Sequence, residues 1–229
     1  SVDKSKRGSN SKKYIFPERC PSCGSKTAKD FNETTNKFDA VRRCLNEDFK
    51  CEKIAMEGLK HFVSKEALNI DGFGKKIVEK FWELKLVKFP QDIFNLDFEK
   101  IKELDGWGDL SVSNLKYAIE KSKKISLDKF IYSLGIRHIG QENAKLLAQH
   151  LKNFENFYKL LKTDDIKNLL NIDGIGETQI KSIRVFFSNK INLTILEKLN
   201  KSMKVFDAIS NKKGGILKNK AFMFTGKLK

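Results

Sequence analysis

The sequence predicts a mainly α-helical fold: a small four-cysteine module, then a domain of four paired-helix units, then a single β-strand at the C-terminus. Three observations carry this. A short pattern recurs as Ile70-Asp71-Gly72-Phe73-Gly74, Leu104-Asp105-Gly106-Trp107-Gly108 and Ile172-Asp173-Gly174-Ile175-Gly176, with a degenerate copy, Leu134-Gly135-Ile136-Arg137-His138-Ile139-Gly140, between the last two. Around the copies, apolar residues recur at helical spacing, and strand-like alternation is almost absent before the last dozen residues. The chain's 4 cysteines all lie early, at Cys20, Cys23, Cys44 and Cys51.

Taken in order, residues 1–13 carry Lys4, Lys6, Arg7, Lys12 and Lys13 among Ser and Gly and read as a basic linker or the end of a preceding domain. The chain opens on Ser1 rather than Met, as a fragment or processed product would. Residues 14–56 read as a zinc finger. In Cys20-Pro21-Ser22-Cys23-Gly24, Pro and Gly let two thiolates face one point, and the gap to Cys44 is close to that of four-cysteine zinc sites. The second pair, Cys44 and Cys51, is spaced more widely than Cys-x-x-Cys. Arg19, Arg42 and Arg43 are expected to lower the thiol pKa values. The alternatives are two disulfides, disfavoured in a reducing cytosol, or merely four buried cysteines. Four cysteines close the tetrahedron, so the zinc is expected to be structural, holding together a segment too short and polar to fold on its own core.

Residues 57–200 form the expected helical domain. Ile77, Phe81 and Leu84 share a helical face, as do Leu147, Leu151 and Phe154, and Ile180, Ile183 and Phe187. The repeat recurs roughly every 34 residues, a period that fits one helix pair and a connection. A tetratricopeptide array has a similar period, but it lacks Gly-x-Gly joints. Each copy follows one apolar helical stretch and opens into another, which is the layout of a helix–hairpin–helix. Glycine there lets the backbone turn tightly and approach a phosphate, and the next helix offers unpaired N–H groups and a partial positive charge. Candidate DNA-contacting residues are Gly72, Gly74, Lys75 and Lys76 in the first copy and Gly106 and Gly108 in the second. The third contributes Arg137, His138 and Gly140, and the fourth Gly174 and Gly176.

The copies differ. Lys75-Lys76 favour an anion at the first, whereas Asp109 and Ser111 make the second less welcoming and more suited to packing. Arg137 in the third is read either as entering a minor groove or as a solvated or helix-capping side chain. The first and fourth rank as the best phosphate binders. Asp71, Asp105 and Asp173 are expected to brace their hairpins by bonding local N–H groups. Trp82, Trp107 and most phenylalanines are assigned to packing, with wedge insertion by Trp107 as an alternative. His61, His138 and His150 have no partner pattern for nucleophilic catalysis, and no catalytic residue is assigned.

Residues 201–216 read as a linker. Residues 217–229, with Ala221-Phe222-Met223-Phe224-Thr225-Gly226, read as the first strand of a module whose remainder is absent. The formal charge of +16 calls for a polyanion. No apolar run is long enough to span a bilayer and no signal segment opens the chain, so the expected setting is the cytoplasm.

These motifs resemble the C-terminal half of the bacterial NAD+-dependent DNA ligases. The resemblance rests on Phe16-Pro17-Glu18-Arg19-Cys20-Pro21-Ser22-Cys23-Gly24-Ser25, Arg43-Cys44, Leu59 to Leu68, Tyr132 to Arg137 and Phe224-Thr225-Gly226. It implies a zinc finger, a helix–hairpin–helix domain and the start of a BRCT domain. It also implies upstream OB-fold and adenylation domains of the same protein, where NAD+ and Mg2+ would bind. Family members seal nicks in replication and repair by passing AMP from NAD+ to a lysine in Lys-x-Asp-Gly and then to the 5′-phosphate. This chain has no Lys-x-Asp-Gly. It is therefore expected to grip nicked duplex DNA, as a nucleoid-associated monomer, for chemistry performed elsewhere. The rivals are a stand-alone repair or recombination module on branched DNA, a hairpin-based nuclease, which would need clustered metal ligands, and a zinc-stabilised protein adaptor.

Overall fold

The computed structural model describes residues 4–12, 14–32, 35–46, 49–160 and 164–208; the strand expected within 217–229 and the later part of the 201–216 linker lie outside the described residues. A two-stranded antiparallel ribbon comes first, β1 (Thr27–Asn32) and β2 (Lys37–Cys44), with a bulge between Lys29 and Phe31. Nine α-helices follow among the described residues: α1 (Glu52–Val63), α2 (Lys75–Glu83), α3 (Phe98–Lys102), α4 (Asp109–Ser122), α5 (Leu127–Ser133), α6 (Gln141–Leu151), α7 (Phe154–Lys159), α8 (Glu177–Ser188) and α9 (Lys190–Ser202). The first begins directly after Cys51, so helical structure starts ahead of Glu57.

The recurring pattern builds one backbone device four times. Each hairpin closes on a bond from the fourth residue of a turn to the first: Phe73 N–H to Ile70 O at 3.1 Å, Trp107 to Leu104, Ile139 to Ile136 and Ile175 to Ile172 at 3.0 Å. The third turn residue has positive φ, as Gly72 (79°), Gly106 (84°), His138 (61°) and Gly174 (92°). A glycine then caps the next helix in extended conformation, as Gly74, Gly108, Gly140 and Gly176. The degenerate copy is thereby aligned: His138 stands where the others have their first glycine. Each hairpin lies between helical elements that pack on one another, namely α1 with α2, α3 with α4, α5 with α6, and the 3-10 segment Asp164–Asn171 with α8.

One continuous apolar core runs from α1 to the start of β4 (Lys204–Phe206). Helix α1 contributes Ala55, Leu59, Phe62 and Val63 at the spacing of one helical face. The hairpins feed this core as well, since the residue between the glycines points inward: Phe73, Ile139 and Ile175 are buried. Trp107 is half-buried and packs on Phe81, with ring centroids 5.6 Å apart. Helix α2 buries Val78 and Phe81, with Ile77 half-buried; Leu84 lies past the last turn and is exposed, a departure from the expected face. Two elements were not expected from sequence. Strands β3 (Lys124–Ser126) and β4 pair in parallel and tie the end of α9 to the α4–α5 junction.

Gly174 combines φ of 92° with little room: an added Cβ would sit 3.0 Å from Leu146 Cδ1. Gly174→Ala is expected to destabilise the chain by about 1–3 kcal/mol, because a side chain in the left-handed region is strained before any clash is relieved. Urea denaturation followed by circular dichroism checks it.

Candidate metal centre and nucleic-acid interface

The four cysteines converge. Their sulfurs all lie within 4.8 Å of one another, with Cys20 Sγ to Cys51 Sγ at 3.9 Å and Cys23 Sγ to Cys44 Sγ at 3.5 Å. Four thiolates at Zn–S bonds of about 2.3 Å would sit about 3.8 Å apart on a tetrahedron's edges. A disulfide needs sulfurs at about 2.05 Å, and all four thiols are free. The donor set and its spacing therefore fit a tetrahedral soft cation. The two shortest approaches are nested, each joining a cysteine of the first pair to one of the second, and Cys51 is also the N-cap of α1. A bound ion would join the ribbon to the helical core through that residue.

Two of the thiols are shifted in opposite directions. Bonds from the Ser25 hydroxyl and backbone lower Cys23 to about 6, whereas burial pushes Cys44 up to about 12. Four anions this close cannot coexist without a positive charge among them. The expected role of the arginines is corrected. Arg19 donates to Gly24 O at 3.2 Å, and Arg42 donates to Thr27 Oγ1 and O at 3.1 and 3.0 Å. Arg43 is turned toward Asp30 and Asp39. Local hydrogen bonds, not guanidinium charge, favour the Cys23 thiolate.

The hairpins divide into two kinds. At the second, Gly108 N–H donates to Ser111 Oγ at 2.9 Å; at the fourth, Gly176 N–H donates to Gln179 Oε1 at 3.1 Å. Both N–H groups are consumed by the third residue of their own helix, the reach-back half of a capping box. Ile77 holds that position in the first hairpin and cannot accept a bond. In the third, Asn143 turns the other way and donates to His138 O at 3.0 Å. Helices α2 and α6 have no side-chain cap, and the N–H groups of Gly74 and Gly140 have no acceptor among the described residues.

Charge separates the hairpins further. The first turn of α2 contains no acid and carries exposed Lys75 and Lys76. The first turns of α4, α6 and α8 contain Asp109, Glu142 and Glu177. Asp109 is paired with Lys102. The expected bracing role of Asp71, Asp105 and Asp173 is not seen: among the described residues their carboxylates accept no backbone N–H, and the turns close on backbone bonds alone. Arg137 is exposed but not unpaired. It pairs with Asp30 of β1 and lies 4.0 Å from Asp39 of β2. Burial first, then Arg137 and Arg43, hold the neighbouring His138 below the usual imidazole range. His61 bonds Tyr132 O at 2.7 Å, an ordinary structural contact.

A helix–hairpin–helix protein with four cysteines positioned to hold a metal ion is the class that this fold and these sites define. The family model described as "Helix-hairpin-helix motif" matches residues 129–196, the third and fourth hairpins with their helices. The chain is related along its whole length to bacterial DNA ligases. It is 64% identical over 228 residues to the DNA ligase of Pelagibacter ubique, covering 100% of this chain and 34% of that protein. The DNA ligase of Wolbachia pipientis from Culex pipiens is 40% identical over 233 residues, covering 100% of this chain and 34% of the relative. That of Parvibaculum lavamentivorans is 37% identical over 230 residues, 95% of this chain and 32% of the relative. The chain thus spans about a third of the length of the ligases it matches. No helix among the described residues is long and apolar enough to cross a membrane.

Proposed function

We propose that this chain is the part of an NAD+-dependent DNA ligase that holds nicked duplex DNA by its backbone in the minor groove, in the bacterial cytoplasm, during replication and repair. The observation that carries this reading is the first hairpin: uncapped N–H groups, Lys75 and Lys76 beside them and no acid in the turn. Such a helix start attracts phosphate through directed N–H groups and partial charge together. Contacts of this kind position a duplex without reading its sequence. The third hairpin, with Gly140 free, is the second contact. The second and fourth, whose first N–H groups are already bonded, act mainly in packing, which reverses the ranking of the fourth made from sequence. Gly72, Gly106 and Gly174 serve the turn and Gly108 and Gly176 the helix start; His138 holds the third turn.

The four cysteines hold structural zinc. Adenylation, and the NAD+ and Mg2+ it uses, belong to upstream domains, with an OB-fold between; a BRCT domain follows. The chain by itself acts as a monomer and performs no chemistry. Mixed with NAD+ and nicked DNA it is expected to bind the DNA and to acquire no AMP, as read by intact mass and by a gel shift on nicked and unbroken duplex. Adenylation of the chain, or failure to shift either duplex at low salt, contradicts the reading.

A further inference from the structure

The metal module's ribbon reaches the third hairpin through a four-member charge cluster. Asp30 and Asp39 flank the paired Phe31 and Phe38 of the ribbon. Arg43 lies 3.7 Å from Asp30 and 3.8 Å from Asp39. Arg137, from the turn of the third hairpin, contacts Asp30 and lies 4.0 Å from Asp39. Two carboxylates thus meet two guanidiniums, and the cation of that hairpin turn is neutralised from another module.

We propose that this contact is a gate: Asp30 and Asp39 occupy Arg137 in the free protein, and a DNA phosphate replaces them when the duplex is bound. It rests on the reading that the hairpins bind DNA. Three features favour exchange over a permanent lock. The side chains are 38–49% exposed, so water and ions reach every member. Exposed ion pairs of this kind are weak and screened by salt. Phosphate oxygens offer a guanidinium the same bidentate geometry as a carboxylate. Arg137 stands in the same hairpin as Gly140, whose N–H has no acceptor among the described residues and is the hairpin's other phosphate donor. Carboxylates left in place would repel a phosphate approaching it. Opening the gate adds a cation and removes the repulsion together.

The test is Asp30→Asn with Asp39→Asn in the whole chain, titrated against a fluorescent nicked duplex at several salt concentrations. Affinity is expected to rise about three- to tenfold, and the salt slope to steepen by about one phosphate contact, because Arg137 becomes free to release counterions. In an Arg137→Ala background the same pair of substitutions is expected to give a clearly smaller gain, from the lost repulsion alone, and no steeper slope. Unchanged affinity and slope overturn the gate. An equal gain without Arg137 also overturns it, since net charge alone would then account for the effect. Metal content and circular dichroism are read in parallel. If the double variant loses its metal, Asp39→Asn alone, which touches only the longer contacts, is expected to show a smaller gain in the same direction, and no gain overturns the gate. If the unaltered chain shows no salt-dependent binding, the DNA reading fails and the gate with it. If the unaltered chain binds and the variant matches it, only the gate fails.

Discussion

Stripping the metal with a strong chelator is expected to unfold the ribbon module while the helices remain. The module has almost no interior. Tyr14, Ile15, Phe16, Phe31, Phe38, Val41 and Leu45 are all exposed, and among the module's described residues up to the start of α1 only Cys20 and Cys51 are buried. A segment of this size cannot offset its chain entropy without a cross-link. Structural zinc in such modules supplies about 10–16 kcal/mol of apparent binding free energy, which becomes folding free energy. The helical part has its own continuous core and needs no such help. Chelation, or Cys51→Ser, is therefore expected to release about one zinc per chain. It should also erase the amide protection of β1 and β2 and leave most helical dichroism in place. Hydrogen exchange by mass spectrometry reads both regions in one experiment. Cooperative loss of the helices would show that α1, capped by Cys51, depends on the metal too.

The second large effect is expected at the helix-starting glycines. Gly74→Val with Gly140→Val should weaken binding to nicked duplex roughly 100-fold, because each charge-assisted hydrogen bond to a phosphate is worth about 1.5–3 kcal/mol. Neither position constrains the fold: both lie in ordinary extended conformation, and an added Cβ at either meets nothing within 4 Å. The weakening would come from the approach of the ligand. Gly108→Val with Gly176→Val is the matched control. These glycines also precede helices in extended conformation, and an added Cβ meets at most Gln179 Oε1 at 3.5 Å, at Gly176, but their N–H groups are bonded to Ser111 and Gln179. The control pair should change affinity by less than about threefold, since these N–H groups donate to the chain itself and not to a phosphate. Equal effects in the two pairs would mean that all four hairpins hold DNA alike.

Much of this was legible in the sequence because it is local. The Gly-x-Gly turns, their helical flanks and the knuckle at Cys20 and Cys23 each depend on neighbours a few residues away. The distinction between hairpins was also local, since Ser111 and Gln179 stand at the third helical position where a reach-back cap is read; sequence ranking by charge passed over it. The ribbon was not legible. Both of its faces are largely exposed, so no burial pattern marks it as strand. Strands β3 and β4 are 3 residues each, too short to carry a period. The partner of Arg137 lies 107 positions away, a contact that only the assembled fold creates. In the degenerate copy the hairpin was legible but its alignment was not, because His138 at φ of 61° stands where the other copies have glycine.

The central claim is that open helix starts on a chain of charge +16 hold a duplex by its phosphates. The most direct measurement is the affinity of the whole chain for a nicked duplex as salt is raised. If two hairpins and their lysines each displace counterions, the logarithm of the binding constant should fall with a slope of about −3 against the logarithm of salt concentration. Gly74→Val should flatten that slope by about one unit. A slope near zero, or one that Gly74→Val leaves untouched, would contradict the account.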